Sequence, residues 1–260
     1  LTRLCWLALG SEGRSEQTVA TDQDNALILP DDTTPAQREA ARAFGRAVNL
    51  ALDACGYPLC RGGIMAGEPG CCLTLREWRE RFAHWIEHGA PQDLLNASIY
   101  FDLRALAGDA AMADALRAEV VESARRTPRF LKQMALNALA HAAPLNWLGS
   151  IDVDATGAVD LKLQGTAIFV DASRLYALAH GVTATGTRGR LEAGGTQAWT
   201  GGFEFLQMLR LRVQLEDAVD AARPNRIVVG SLNDIDRRIL KESFRIARAL
   251  QQRLQLDYER

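Results

Sequence analysis

The residues best suited to chemistry lie between positions 10 and 24, where the chain reads Gly10-Ser11-Glu12-Gly13-Arg14-Ser15-Glu16 and then Asp22-Gln23-Asp24. In an extended segment residues i and i+2 point to one face about 7 Å apart, so Asp22 and Asp24 are expected to project together. Two negative charges held that close favour a cation between them. Carboxylate oxygens are hard ligands suited to Mg2+ (or Mn2+), which takes one or two protein carboxylates and completes its shell with water and phosphate oxygens. Upstream, Gly10 and Ser11 stand where an apolar strand gives way to a helix start, whose free N–H groups and positive terminus can hold phosphate. A metal site and a phosphate site would then adjoin.

The elements that must position these residues follow from the pattern around them. Leu4 to Leu9 reads as a buried strand stopped by Gly10, and Asn25 to Leu29 as the apolar end of a second strand stopped by Pro30. Thr34 before Pro35 predicts an N-cap and first-turn proline, opening a helix through Phe44, Val48 and Leu52 to Gly56. A third strand is expected near Tyr57 to Met65. From Leu75 the period turns helical, with Trp78, Phe82 and Trp85 on one face and further helices over Pro91 to Leu106 and Ala110 to Arg125. Helices are predicted again at Pro128 to His141, Asp171 to Gly181, Gly202 to Ala222 and Asp234 to Leu256, the last two long enough for a bundle. The domain boundary is placed near residue 125. Thr183 to Gly202, rich in Gly and Thr, is expected to be a mobile loop.

Composition narrows the class. Of 260 residues 48% are apolar and 24% charged, with 30 Lys+Arg against 32 Asp+Glu, which excludes a disordered chain and gives no global nucleic-acid signature. The apolar runs are interrupted well before the roughly 18 residues a membrane span needs, so no membrane partner is expected. Five cysteines, including the adjacent Cys71 and Cys72, fit reduced thiols and a cytoplasmic location better than a disulfide framework. The chain opens without Met inside an apolar run, which reads as a fragment of a longer protein.

With these residues in view, the sequence resembles the nucleotidyltransferases of the polymerase β superfamily, whose pattern is a strand, Gly-Gly or Gly-Ser, then Asp-x-Asp on the next strand. The string GSEGRSEQTVATDQDNAL is similar to a bacterial family of nucleotidyltransferases related to the uridylyltransferase of the nitrogen-regulatory P-II protein. Gly10, Gly13, Arg14, Glu16, Asp22 and Asp24 all match that pattern, and Ser11 replaces a glycine. Arg104 with Gly108-Asp109 resembles the segment that closes the transferase domain of those enzymes and of glutamine-synthetase adenylyltransferases. Asp160-Leu161-Lys162 with Gly165 and Asp171, and Phe203 to Leu206 with Arg210, Arg212 and Gln214-Leu215, resemble parts of their helical substrate-binding domain.

The resemblance implies an α/β (α+β) nucleotidyltransferase domain over 1–125 and an all-α helical bundle domain over 126–260, with the nucleotide in the cleft between them. The implied reaction moves a nucleoside monophosphate from an NTP to a hydroxyl, with a protein as the expected acceptor and no nucleic-acid partner. Asp22 and Asp24 are the expected metal ligands, with Mg2+ (or Mn2+) as cofactor. The nucleotide-binding set is Gly10, Ser11, Arg14 and Lys162, with Arg14 and Glu16 bracing the loop and Lys162 neutralising the triphosphate as pyrophosphate leaves. Regulatory modules of the cyclic-nucleotide-binding or CBS type are expected ahead of the segment. The family often adds a third carboxylate from a later strand, and Tyr57 to Met65 has none; Asp102, expected to be helical, is the substitute and completes the catalytic set with Asp22 and Asp24. The alternative is a catalytically weak regulatory nucleotide-binding module of a larger signalling protein.

Three features carry blander readings. His84-Trp85-Ile86-Glu87-His88 spells an inverted zinc motif, but the helical wheel puts both histidines on a wet flank. Asn96-Ala97-Ser98 is a glycosylation sequon inside an expected helix. Arg188 and Arg190 are expected to be solvated loop residues.

Overall fold

The apolar stretches on either side of Gly10 become neighbouring strands. In the computed structural model, which describes residues 3–90, 93–94, 98–194, 197–216 and 222–258, β1 (Cys5–Ala8) pairs antiparallel with β2 (Asn25–Leu29), Cys5 opposite Ile28 and Ala8 opposite Asn25. Every residue of both strands is buried, as expected of the centre of a sheet covered on both faces. β3 (Cys72–Thr74) joins β2 in parallel and β4 (Arg104–Gly108) joins β1 antiparallel, giving a mixed sheet of order β3-β2-β1-β4.

Around the sheet lie α1 (Gly10–Gly13), α2 (Pro35–Ala54), α3 (Leu75–His88) and α4 (Ala110–Arg125). Helix α2 starts where the sequence says: Thr34 accepts from the Gln37 N–H, Gln37 reaches back to the Thr34 N–H, and Pro35 supplies the fixed first turn. Thr74 and Glu77 form the same reciprocal cap on α3. Trp78, Phe82 and Ile86 form the buried stripe of α3, and Trp78 Nε1–H donates to the Leu27 carbonyl. Gly45 lets α2 approach the backbone at Ala66, which a Cβ would meet at 2.7 Å.

The chain divides into two compact units, residues 1–17 with 21–130, and residues 18–20 with 131–260. The second is a helical assembly. Its helices are α5 (Pro128–Ala138, which begins in the first unit), α6 (Ala167–His180), α7 (Thr187–Gly194), α8 (Gln197–Gln214) and α9 (Asp234–Tyr258). A two-stranded ribbon pairs β5 (Ala158–Asp160) with β6 (Arg226–Val228). On α9 the buried residues Leu240, Phe244, Ala247, Leu250 and Leu254 recur every three or four positions, so one stripe of a 25-residue helix is covered. Phe169, Phe203 and Leu206 complete this core. Among the described residues no helix is long and apolar enough to cross a membrane.

Three expectations about elements change. Tyr57 to Met65 is not a strand: Pro58 and the Gly62-Gly63 turn prevent a ladder, and the third strand is Cys72–Thr74. Within Pro91 to Leu106, Asp93 and Leu94 are helical as expected, but the described residues from 98 on hold a 3₁₀ turn at Ser98–Asp102 and then strand β4, because pairing with β1 overrides the helix propensity of Ala105, Leu106 and Ala107; Asn96 and Ala97 of the sequon fall outside the described residues. Thr183 to Gly202 is largely helical, since Thr187, Arg190 and Leu191 of α7 are buried. Arg190 therefore leaves the solvated class and donates to the Ala184 carbonyl, whereas Arg188 is exposed and pairs with Glu192 and Glu204.

Candidate functional site

Each residue of the loop after β1 has a structural task. Gly10 has φ +53°, and a Cβ there would lie 2.8 Å from Ile99 and 3.0 Å from Asp24 Oδ2, so only glycine lets the Asp24 carboxylate sit against this backbone. Gly13 packs on the Asp102 carbonyl, 1.9 Å from where a Cβ would stand. Arg14 donates through Nη1 to Asp102 Oδ2 at 2.5 Å and through Nε to Glu16 Oε2 at 2.8 Å. Asp102 is fully buried and the other two side chains are nearly so. Arg104, delivered by β4 opposite Ala8, donates to the Glu12 and Gly13 carbonyls and so closes the C-terminal end of α1. At its other end the first N–H groups of α1 have no intrahelical acceptor.

Asp22 and Asp24 lie in the extended lead into β2, three residues and one residue before the strand begins. Their direction is set by the residues between and after them. Gln23 and Asn25 are buried and join Asn49 of α2 in an amide network: Asn49 Nδ2 donates to Gln23 Oε1 and Asn25 Oδ1, Gln23 Nε2 donates to the Asn49 and Tyr57 carbonyls, and Ala66 and Gly67 N–H donate to Asn25 and Asn49. Because alternate side chains of an extended segment face opposite ways, anchoring 23 and 25 inward turns 22 and 24 to the other side. The Leu9 N–H donates to the Asp24 carbonyl and ties this segment to the end of β1.

Asn49→Ala should therefore act at a distance. Each buried partner left unsatisfied costs about 1–3 kcal/mol, so thermal denaturation should show a clear loss of stability, and Mn2+ titration a weakened site. Unchanged Mn2+ affinity in a destabilised variant would mean the network supports the fold without aiming the carboxylates.

Ligand atoms of Asp22, Asp24 and Cys60 all lie within 4.8 Å of one another. The two carboxylates, one exposed and one partly so, suit a hard divalent cation that keeps water or phosphate oxygens, so Asp22 and Asp24 by themselves fit Mg2+ or Mn2+. Burial, with the Asp24 charge adding to it, pushes the Cys60 thiol above its ordinary range.

Family models match two parts of the chain. Residues 2–92 match "Putative nucleotidyltransferase DUF294", and residues 128–258 match "Putative nucleotidyltransferase substrate binding domain". The chain belongs to the putative nucleotidyltransferase family DUF294. No curated protein matches it.

Gly10, Ser11, Asp22 and Asp24 are brought together in the first unit. Arg14 stands behind that loop, engaged by Asp102 and Glu16. Asp102 lies in a 3₁₀ turn rather than a helix and faces Arg14. Lys162 is an exposed residue of the second unit, at the start of a single π-helical turn (Lys162–Thr166) whose Lys162 and Leu163 N–H groups donate to Asp160 Oδ1. Gly108, with φ +84°, sits where a Cβ would be 1.9 Å from the Leu4 carbonyl, and Asp109 caps α4 by accepting from the Ala111 N–H. In the second unit Arg210 donates to Asn225, Gln207 and Thr18, and Gln214 accepts from the Ala20 N–H and donates to Asn225. The two motif residues of α8 thus hold residues 18–20.

Sequence reasoning missed Cys60, the Gln23–Asn25–Asn49 network and Tyr100. The Tyr100 hydroxyl lies 3.5 Å from Cys71 Sγ, and burial, followed by the Cys71 interaction, pushes it upward. Polar residues at 23 and 25 of an otherwise apolar strand start were the available signal for the network. His84 and His88 are exposed with their rings stacked 5.7 Å apart, and neither belongs to a three-donor cluster among the described residues.

Proposed function

We propose that this protein is a metal-dependent nucleotidyltransferase that moves a nucleoside monophosphate from an NTP to a hydroxyl of a protein or other macromolecule, as the P-II uridylyltransferases do. The observation that carries the reading is the approach of the Asp24 carboxylate to the Gly10 backbone, beside Asp22 and the start of α1. In this reading the Gly10–Ser11 backbone holds the outer phosphates, and Asp22 and Asp24 direct the α-phosphate toward the acceptor. The acceptor oxygen forms a bond to the α-phosphorus, the bond to the bridging oxygen breaks, pyrophosphate leaves with that electron pair, and the hydroxyl proton passes to solvent. A bound divalent cation supplies neutralisation of the phosphate charge. Incubating the protein with each labelled NTP, Mg2+ or Mn2+, and cell extract tests the transfer. The expected result is metal-dependent label in a macromolecule; label in small molecules alone would overturn the acceptor class.

Lys162 gives an independent check, because the resemblance puts it on the triphosphate. Lys162→Ala should raise the NTP concentration for half-maximal transfer severalfold with an unchanged melting temperature, the side chain being exposed. Identical nucleotide affinity by calorimetry would return Lys162 to the solvated surface. A second reading has one specific support: the third donor beside Asp22 and Asp24 is a thiol, not a carboxylate. On that reading the unit binds nucleotide and regulates a larger protein with little turnover.

A further inference from the structure

We infer that Cys60 Sγ is the third protein donor to the divalent cation of Asp22 and Asp24, and that it turns the site's preference from Mg2+ toward softer ions, Zn2+ and Co2+ foremost. The inference rests on the metal-dependent reading above.

The position of Cys60 is built rather than incidental. The Gln23 N–H donates to the Pro58 carbonyl and the Asn25 N–H to the Ile64 carbonyl, so the segment is fastened to the Asp-x-Asp backbone on both sides of Cys60. Between these two anchors the chain reverses at Gly63, φ +69°, whose N–H donates to the Cys60 carbonyl at 3.1 Å. The turn delivers a partly exposed thiol to the two carboxylates. Donors on a tetrahedral zinc stand about 3.5 Å apart, so three ligand atoms already within 4.8 Å of one another have roughly 1.5 Å or less to close, a side-chain rotation rather than a backbone movement.

The chemistry of the set then decides the ion. Mg2+ takes oxygen ligands and gains nothing from sulfur, whereas Zn2+ and Co2+ bind thiolate well and stand above Mn2+ in the general order of affinity. Among the described residues the other thiols join no such cluster: Cys5, Cys71 and Cys72 are buried, and Cys55 is exposed.

The test is a Co2+ titration of the whole chain, followed by its absorbance. Wild type should show a near-ultraviolet thiolate-to-cobalt charge-transfer band, kept in Cys55→Ser and lost in Cys60→Ala and Cys60→Asp. By calorimetry, Zn2+ affinity should fall at least about tenfold in Cys60→Ala, more than loss of a mere neighbour of the ligands, while Mg2+ affinity holds. Cys60→Asp, which supplies a third hard oxygen, should bind Mg2+ more tightly than wild type. Co2+ bound without the band, or Zn2+ affinity unchanged in Cys60→Ala, would overturn the role of Cys60 and leave the carboxylate site standing. Metal binding unaffected by Asp22→Asn and Asp24→Asn would instead bring down the metal reading and this inference with it.

Discussion

Asp24→Asn should abolish metal-dependent nucleotide transfer while the protein keeps its fold. The substitution preserves shape and removes one of the two negative charges proposed to hold the cation. Losing about 4 kcal/mol of charge stabilisation in the transition state corresponds to about a thousandfold in rate. Asp24 is only partly buried, and its backbone carbonyl, which accepts from Leu9, is untouched. Far-ultraviolet circular dichroism and melting should therefore match wild type. Asp22→Asn should behave alike, with a smaller effect on the neighbouring loop because Asp22 is exposed. Transfer at wild-type rate by either purified variant would remove both residues from the site.

Asp102→Ala should fail in the opposite way, through stability first. It strips the fully buried carboxylate from Arg14, which keeps its bond to Glu16, so the loss should approach the cost of about 3–5 kcal/mol for a wholly uncompensated buried partner without reaching its upper end. Thermal denaturation should register a fall of about 10 °C, since each kcal/mol moves a unit of this size by several degrees. The loop from Gly10 to Glu16 is braced by the same Arg14, so nucleotide affinity should drop in parallel. A variant with unchanged melting and a collapsed turnover would instead make Asp102 a carboxylate that meets the substrate. Arg14→Lys keeps the charge but cannot reach Asp102 and Glu16 with one planar fork, and it should show a milder form of the same loss.

How much of this was legible in the sequence depends on the range of the interaction. The strands at Leu4 to Leu9 and Asn25 to Leu29, the cap at Thr34 and the helix from Asp234 to Leu256 are signals contained within a few residues, and Thr34-Pro35 marks the start of α2 directly. β3 escaped because three buried residues, Cys72-Leu73-Thr74, carry no alternation to read. β4 escaped because Ala105-Leu106-Ala107 prefers a helix when judged locally and becomes a strand only beside β1. The helix at Thr187–Gly194 was hidden by a composition of Gly, Thr and Arg that looks solvated, although Arg190 and Leu191 are buried.

The site divides along the same line. The spacing of Gly10, Asp22 and Asp24 was readable because it lies within one strand–loop–strand unit. Asp102, the fully buried acceptor of Arg14, stands 88 positions away, and Asn49 lies 26 positions beyond Gln23. Cys60 had no local pattern at all, its place being set by hydrogen bonds on either side of a turn.

The central claim, that Asp22 and Asp24 beside Gly10 form a working transfer site, is tested most directly by pyrophosphate release. The purified chain, its acceptor and each NTP in turn should be followed with and without Mn2+ or Mg2+. Release of pyrophosphate with at least one NTP, dependent on the metal and absent from Asp24→Asn, is the predicted result. Tight metal-dependent NTP binding with no pyrophosphate under any of these conditions would contradict it, and would make this unit a nucleotide sensor instead.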